Sequence, residues 1–242
     1  MAQSVVTVDA FTDQPFAGNP AAVCVLDAPA DEAWMQAVAR EMNLSETAYL
    51  VPGDDGWGLR WFTPAVEVDI CGHATLAGAH VLWEEERAPA DRPIRFHTRS
   101  GVLTAGRRDG WIELDFPAAD PGDPAVEVRE LGSEAELRAY EPDLSELEQL
   151  PARIVYVTSP AGSPGFDYAL RVFAPKVGIP EDPATGSAHC TLAPRWAARL
   201  GRDELIATQV SRRGGTFRVR VAGGRVKIAG QAVTVLRGAL SS

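Results

Sequence analysis

The chain has 242 residues, of which 45% are hydrophobic, and a formal net charge of -10 at pH 7. This length allows one large domain or two domains of ordinary size, each with its own core. The negative charge disfavours nucleic acid and anionic membranes as partners, and no apolar run reaches the ~18 residues that a membrane-spanning helix needs. Residues 1–11 lack a basic region followed by a long apolar stretch, so we expect no signal peptide.

Cysteines and lysines are few, which limits the chemistry that the chain can support. Cys24, Cys71 and Cys190 form a sparse, odd set that is typical of reduced thiols in a cytoplasm. No Cys/His spacing is typical of a zinc site, and no GxGxxG or Walker pattern indicates a nucleotide. Lys176 and Lys227 are the only lysines, and neither shows a sign of the Schiff-base role that a pyridoxal enzyme requires. We therefore expect a cytoplasmic protein without a metal or cofactor.

The first elements in chain order are two strands and a capped helix. Residues 5–11 and 21–27 are rich in valine and bounded by turn residues, which predicts strands. Asp31 is placed to cap a helix whose apolar residues recur at helical spacing on one face. We expect this helix to end at Asn43 and the chain to continue as a strand over 45–51.

The later elements predict an α+β fold with two helices of unusual composition. Residues 73–86 are apolar or small almost all round, so we expect a buried helix there. A second such helix is predicted over 187–201, with a kink at Pro194 and an end at Gly201. The C-terminal part of the chain predicts strands separated by glycine turns. These elements indicate two curved, largely antiparallel sheets, each wrapped around one helix.

The chain nearly repeats itself. The hexamer LRWFTP at 59–64 returns as LRVFAP at 170–175, and each copy is followed by a connector, a turn of small residues and an apolar run. The repeat predicts two similarly built domains, which we assign to residues 1–117 and 118–231, with a linker at 117–125. The last strand, about 232–242, is expected to belong to the N-terminal domain, and the candidate active site is expected at the mutual face of the domains.

The turn before each predicted helix is a candidate anion site. A helix start presents unpaired backbone N–H groups and the positive end of the helix dipole. Small residues let an anion approach those groups closely, as at Gly72, Ala74, Gly186 and Ser187. The alternative is that these residues only allow a buried helix to pack tightly, and the sequence leaves both interpretations open.

Reactive side chains lie near the first turn. Glu46 alternates with apolar residues, so it shares a strand face with them and is suited to general-base catalysis, unless it is an ordinary surface glutamate. His73 lies at a helix start, where its cation is disfavoured, which suits a neutral donor or proton carrier; the alternative is a structural role. Cys71 is a competing base, because paired thiols are a known route to cofactor-free racemisation.

The second turn offers an acid and a hydroxyl group. Asp182 precedes Pro183, which stiffens the turn, and it is either a catalytic group or a turn residue. Ser187 either donates to a substrate or caps the helix. A thiol matching Cys71 is missing here, because Pro183 and Ala184 occupy the corresponding positions and Cys190 is expected to be buried further along the helix.

With these residues in view, the chain resembles the phenazine-biosynthesis isomerase-like (PhzF-like) family, relatives of diaminopimelate epimerase. The most specific stretch is GIPEDPATGSAHC at 178–190. The other matching stretches are DAFTDQPFAGNPAAV at 9–23, NLSETAYL at 43–50, DICGHATLAGAHVL at 69–82, QVSRRGGTFRV at 209–219 and VKIAGQAVTVLRG at 226–238. The resemblance implies the diaminopimelate epimerase-like fold, with two pseudo-symmetric domains and commonly a homodimer. It also implies catalytic roles for Glu46, His73 and Asp182, and substrate-binding roles for Asn19 and Ser187.

The implied activity is a cofactor-independent isomerase that moves a proton on a small carboxylate-bearing substrate. The reaction would be similar to that of trans-2,3-dihydro-3-hydroxyanthranilate isomerase. Two alternatives remain: an amino-acid racemase or epimerase that uses Cys71, and a small-molecule binding protein without turnover.

Overall fold

A computed structural model of the protein describes residues 3–241. The fold is α+β, as the sequence predicts. The helices are α1 (Glu32–Met42), α2 (Gly72–Glu84), α3 (Glu134–Ala139), α4 (Leu144–Gln149) and α5 (Ala188–Leu200), with a short 3-10 helix at Pro175–Val177. Within residues 3–241, none of them combines the length and the apolar character that crossing a membrane requires.

Sixteen strands make up most of the remainder of residues 3–241. Those of the N-terminal half are β1 (Gln3–Ala10), β2 (Asn19–Val25), β3 (Glu46–Gly53), β4 (Gly56–Phe62), β5 (Glu67–Val68), β6 (Ile94–Thr98), β7 (Gly101–Arg108) and β8 (Trp111–Pro117). Those of the C-terminal half are β9 (Val126–Glu130), β10 (Ile154–Pro160), β11 (Tyr168–Ala174), β12 (Ile179–Asp182), β13 (Glu204–Gln209), β14 (Gly215–Ala222), β15 (Arg225–Gly230) and β16 (Ala232–Leu240).

The chain divides into two compact units. The first comprises the described residues up to Asp115 together with those from Ala229 onward, and the second comprises Phe116–Ile228. The C-terminal strand β16 pairs antiparallel with β1 inside the first unit. The domain boundaries that the sequence indicates, at 117 and 231, stay a prediction.

In the first unit the strand order is β16-β1-β2-β3-β4-β6-β7-β8, with the short β5 on β4. Most neighbours are antiparallel, and the parallel pairs are β2 with β3 and β4 with β6. Helix α2 packs against β1, β2 and β3 and is buried along nearly its whole length. An all-round apolar helix needs such an enclosed position, because it has no polar face to present to water.

In the second unit the order is β15-β14-β13-β11-β10-β9, with β12 on β11. Helix α5 packs against β13 and β14. It runs through Pro194 without interruption and ends at Gly201, whose φ of 67° is left-handed. Each unit therefore holds a 13-residue helix, α2 or α5, against a mixed, mostly antiparallel sheet.

The ends of α1 follow the local sequence signals. The Asp31 carboxylate accepts hydrogen bonds from the backbone N–H groups of Ala33 and Trp34 at 2.9 and 3.2 Å. Asn43 closes the helix with a φ of 51°, a left-handed conformation that asparagine tolerates better than most residues. Both predicted ends are confirmed.

The repeated hexamers build the same arrangement in each unit. Arg60 on β4 binds both carboxylate oxygens of Glu67, at 2.7 and 2.6 Å, and its guanidinium lies 5.1 Å from the Phe62 ring centroid. Arg171 on β11 binds both oxygens of Glu181, at 2.7 and 2.9 Å, and lies 5.0 Å from the Phe173 ring. The repeat thus encodes a bidentate ion pair beside an aromatic ring.

The stretch at 117–125, predicted as a linker, is bonded into the second unit. The N–H of Ala118 donates to the carbonyl of Gly224 at 2.9 Å, and the N–H of Ala119 donates to the carbonyl of Cys190 at 3.0 Å. These bonds attach its first residues to a hairpin and to α5.

Glu134, at the start of α3, ties down a loop in the second unit. Its carboxylate accepts from the N–H groups of Gly162 and Ser163 at 2.8 and 3.0 Å and from the Ser163 hydroxyl at 2.9 Å. Burial alone would raise the pKa of Glu134, but these donors and Arg138 outweigh it and lower the pKa from 4.5 to about 2.

We expect the stability contributed by Glu134 to be present above about pH 4.5 and to be lost as the pH falls towards about 2, because the folded state binds this proton more weakly than the unfolded state. Glu134→Gln should therefore lower the free energy of unfolding by on the order of 2 kcal/mol near neutral pH and by little in strong acid. Urea unfolding across this range measures the difference, with the exposed Glu148→Gln in α4 as the control. A deficit that does not change with pH would contradict the prediction.

Candidate active site

Glu46 and His73 come together in the first unit. Glu46 is the first residue of β3 and pairs with Ala21 of β2. His73 is the second residue of α2, the helix that packs on these strands. The packing places Glu46 Oε2 3.0 Å from His73 Nε2, and the two side chains are only 12% and 8% exposed. Of the two interpretations that the sequence leaves open for Glu46, this position excludes an ordinary surface glutamate.

The contact between Glu46 and His73 is an ion pair with poor hydrogen-bond alignment. The separation is short enough for a hydrogen bond, but the angle is unfavourable and the buried Oε2 atom accepts none. The oxygen therefore lies off the N–H direction of the imidazole ring. A modest rotation of either side chain would align it, and catalytic hydrogen bonds often tighten only when substrate is bound.

Cys71 completes a cluster of three reactive groups, which we call the Glu46–Cys71–His73 cluster. Its sulfur lies 3.5 Å from Nδ1 and 4.0 Å from Nε2 of His73. One donor atom from each of the three residues lies within 4.8 Å of the other two. Cys71 directly precedes α2 and is buried.

Neighbouring groups raise the pKa of His73, and burial raises the pKa of Cys71. Burial opposes the imidazolium, but the neighbouring Cys71 and Glu46 outweigh it and raise the pKa of His73 well above its usual value. Burial, assisted by the charge of Glu46, raises the pKa of Cys71. The expectation of a neutral His73 is therefore not met: the helix start disfavours the cation, but Cys71 and Glu46 together have the larger effect.

The N-terminus of α2 lacks a capping side chain and is largely buried. No acidic residue occurs in the first turn, and the Cys71 side chain makes no capping hydrogen bond. The first N–H groups of a helix have no partner within the helix, so those of Gly72, His73 and Ala74 are suited to a carboxylate. Gly72 is half-buried and Ala74 is fully buried.

The second turn is held rigid in its own unit. Asp182 ends β12 and accepts a hydrogen bond from the Thr185 hydroxyl. The buried Gln209 donates to the carbonyl of Asp182 at 2.6 Å and accepts from the N–H of Thr185 at 2.7 Å. Ser211 donates to the carbonyl of Pro183 at 2.6 Å. The sequence analysis missed Gln209 and Ser211, although both lie in the C-terminal stretch that resembles the family.

Ser187 does not cap α5. It is exposed, it has helical φ and ψ angles, and its hydroxyl makes no capping hydrogen bond, whereas the neighbouring Gly186 is buried. The capping role that the sequence allows is therefore wrong, and the substrate-binding role stays a prediction. The prediction that Cys190 is buried is wrong, because its position in α5 leaves it only half-buried.

Asn19 is fully buried as the first residue of β2, in register with Ala10 of β1. The structure thus gathers Glu46, His73, Gly72 and Ala74 at the start of α2, and Asp182, Gly186 and Ser187 at the start of α5. The predicted meeting of the two turns stays a prediction.

Comparisons with known proteins agree with this fold. The model of the family described as phenazine biosynthesis-like protein matches residues 8–131 and 127–238. An uncharacterised isomerase of Halalkalibacterium halodurans is 49% identical over 99% of this chain and 99% of its own length. The crystal structure of a phenazine biosynthesis protein of the PhzF family from Enterococcus faecalis is 37% identical, covers 100% of both chains and has a TM-score of 0.93.

A predicted epimerase from Pseudomonas aeruginosa shares 25% identity and a TM-score of 0.72, covering 99% of each chain. These likenesses confirm the α+β, diaminopimelate epimerase-like fold that the resemblance implies. With the family model matching nearly the whole chain, this protein belongs to the phenazine biosynthesis-like family.

Proposed function

We propose that the protein is a cofactor-independent isomerase that moves a proton on a small carboxylate-bearing substrate. The observation that carries the proposal is the ion pair between Glu46 and His73, 3.0 Å apart and largely buried at the start of α2. A buried carboxylate beside an imidazolium is a typical acid–base pair, and an adjacent helix start can bind the carboxylate of the substrate.

The reaction needs only proton transfers. Glu46 takes a proton from an allylic carbon of the substrate, and the electron pair of that C–H bond moves into the adjacent conjugated system. A proton is then delivered to another carbon of the same system, so that bonds are rearranged without gain or loss of electrons. The cation at His73 balances the charge of Glu46 before proton abstraction and provides a hydrogen-bond donor afterwards.

Asp182 and Ser187 belong to the proposal through the family resemblance. The turn that carries Asp182 is fixed by Thr185 and Gln209, which is what a group that must hold a defined position requires. We assign Asp182 to proton delivery and Ser187, with Asn19, to substrate binding. The relative from Halalkalibacterium halodurans is named an uncharacterised isomerase, which supports the isomerase class. The likeness to the reaction of trans-2,3-dihydro-3-hydroxyanthranilate isomerase rests on the family resemblance alone.

Exchange of solvent hydrogen tests the proposal. The protein is incubated in D₂O with trans-2,3-dihydro-3-hydroxyanthranilate or with other unsaturated and α-amino carboxylates, and deuterium at carbon is followed by NMR. We expect incorporation at one or two carbon positions of at least one of these carboxylates, well above a heat-inactivated control. Saturable binding of these compounds without any exchange would instead indicate a binding protein.

A racemase or epimerase that uses Cys71 is the second candidate, favoured by the 3.5 Å contact between Sγ and His73 Nδ1. The raised pKa of Cys71 weighs against it, because a protonated thiol is a poor base. Cys24 lies in the same unit, but burial raises its pKa to about 12, so it offers no second thiolate. Alkylation by iodoacetamide distinguishes this candidate from the first, because inactivation that substrate prevents would favour Cys71 as the base.

The proposal also covers the cellular compartment and the oligomeric state. The three cysteines are all free, which favours a reducing compartment such as the cytoplasm. The family resemblance favours a homodimer, and light scattering measures the mass in solution.

A further inference from the structure

The Glu46–Cys71–His73 cluster combines three metal-binding side chains of different type. Among residues 3–241, these three present a thiol, an imidazole nitrogen and a carboxylate oxygen within 4.8 Å of one another. Soft thiolate with imidazole is a donor set that Zn²⁺ prefers, and Mg²⁺ and Ca²⁺ prefer oxygen ligands. Proton transfer requires Glu46 and His73 but makes no use of this mixed donor set.

The donor separations are close to those of a tetrahedral zinc site. Zinc bound to sulfur at about 2.3 Å and to nitrogen and oxygen at about 2.0 Å separates its donors by roughly 3.3–3.6 Å. Through His73 Nε2, the observed separations are 3.0 Å to Glu46 Oε2 and 4.0 Å to Cys71 Sγ. Each separation is within about 0.5 Å of the corresponding tetrahedral edge. The donor atoms of Glu46 and Cys71 lie within 4.8 Å of each other, so the three groups surround one position that a single ion could fill.

We propose that Zn²⁺ binds Glu46, Cys71 and His73, with water or solvent hydroxide as the fourth ligand, and thereby inhibits the enzyme. The thiol proton and any proton on the imidazole Nε2 leave to solvent when the metal binds. Zinc then occupies the lone pairs with which Glu46 and His73 would handle the substrate proton. The binding stands on the geometry of the cluster alone, whereas the inhibition rests on the proposed function.

Cobalt gives a direct readout of the binding. Titration of the chelator-treated protein with Co²⁺ should produce a thiolate-to-metal charge-transfer band and the visible bands of a tetrahedral ion, and both should disappear when Zn²⁺ is added. We expect Cys71→Ser to abolish the charge-transfer band and to weaken Zn²⁺ binding by about 100-fold or more, since loss of a neighbour of a ligand already costs 10–100-fold. The matched control is Cys190→Ser, which removes the half-buried thiol of α5 and should leave both signals unchanged.

A second variant and the affinity for Zn²⁺ test the metal site further. If Cys71→Ser fails to fold by circular dichroism, His73→Gln serves as the second variant and should weaken Zn²⁺ binding to the same extent. Equal affinity of the wild type and a folded variant for Zn²⁺, or a cobalt spectrum without a thiolate band, would overturn the metal site.

The inhibition is tested by enzyme activity. Where deuterium exchange is detected, Zn²⁺ should suppress it at least tenfold and EDTA should restore it. If EDTA abolishes the exchange and zinc restores it, the inhibitory role is overturned. If cobalt binds but no exchange activity is found, the metal site is supported and the proposed function is contradicted.

Discussion

Replacing Glu46 by glutamine is expected to lower kcat for proton exchange by about 10²–10⁴-fold, the usual worth of general acid–base help. Glutamine preserves the size of the side chain but has no basic oxygen, so it cannot take a proton from carbon. Because His73 loses its counter-charge at the same time, its ring becomes easier to deprotonate and the buried site stays neutral. KM should change much less than kcat, because the helix start that holds the substrate carboxylate is retained.

The measurement is the rate of deuterium incorporation from D₂O at saturating substrate, accompanied by a thermal melt. Glu41→Gln, at an exposed position near the end of α1 in the same unit, is the matched control and should behave as wild type. Near-normal turnover of a well-folded Glu46→Gln protein would remove Glu46 from the mechanism and direct attention to Cys71.

Gly18→Ala is expected to destabilise the first unit by about 3 kcal/mol or more, because a backbone clash adds to a left-handed strain. Gly18 has a φ of +62°, and a Cβ atom there would lie 2.2 Å from the carbonyl oxygen of Ala10. That oxygen belongs to β1, whose pairing with β2 in the same register ladder prevents it from moving away. The close approach explains why glycine precedes Asn19.

Gly110→Ala separates the two contributions. Gly110 has a similar φ of +77°, but nothing lies within 4 Å of its Cβ position. This variant should lose only the left-handed strain, about 1 kcal/mol. Urea unfolding of both proteins gives the difference, and equal losses in the two variants would show that the Ala10 carbonyl yields without cost.

Local signals in the sequence were sufficient for most of the secondary structure. Asp31 caps the start of α1 and Asn43 ends the helix in a left-handed conformation. Both signals depend on neighbours only a few positions away in the chain. The apolar composition of α2 predicted its burial for a similarly general reason, since a helix without a polar face must be enclosed. The repeated hexamer was visible in the sequence, whereas its bidentate pairs of Arg60 with Glu67 and Arg171 with Glu181 were not.

The charge state of the site could not be read from the sequence, because it depends on distance. His73 near a helix start is expected to be neutral, and the nearby Cys71 and Glu46, the latter from a separate strand, reverse that expectation. The same approach assembles three metal donors although no Cys/His spacing indicates them. Likewise, Gln209 comes from a distant strand to hold both Asp182 and Thr185.

The sequence by itself determined the α+β class, the helix ends, the repeated plan and the identity of the groups able to carry protons. Only the tertiary structure decided that Glu46 lies 3.0 Å from His73, that the Ser187 hydroxyl does not cap α5, and in which direction the pKa of His73 shifts. The reason is physical: propensities and caps act over one or two turns of chain, whereas electrostatic and coordination energies vary steeply with separations that only packing sets.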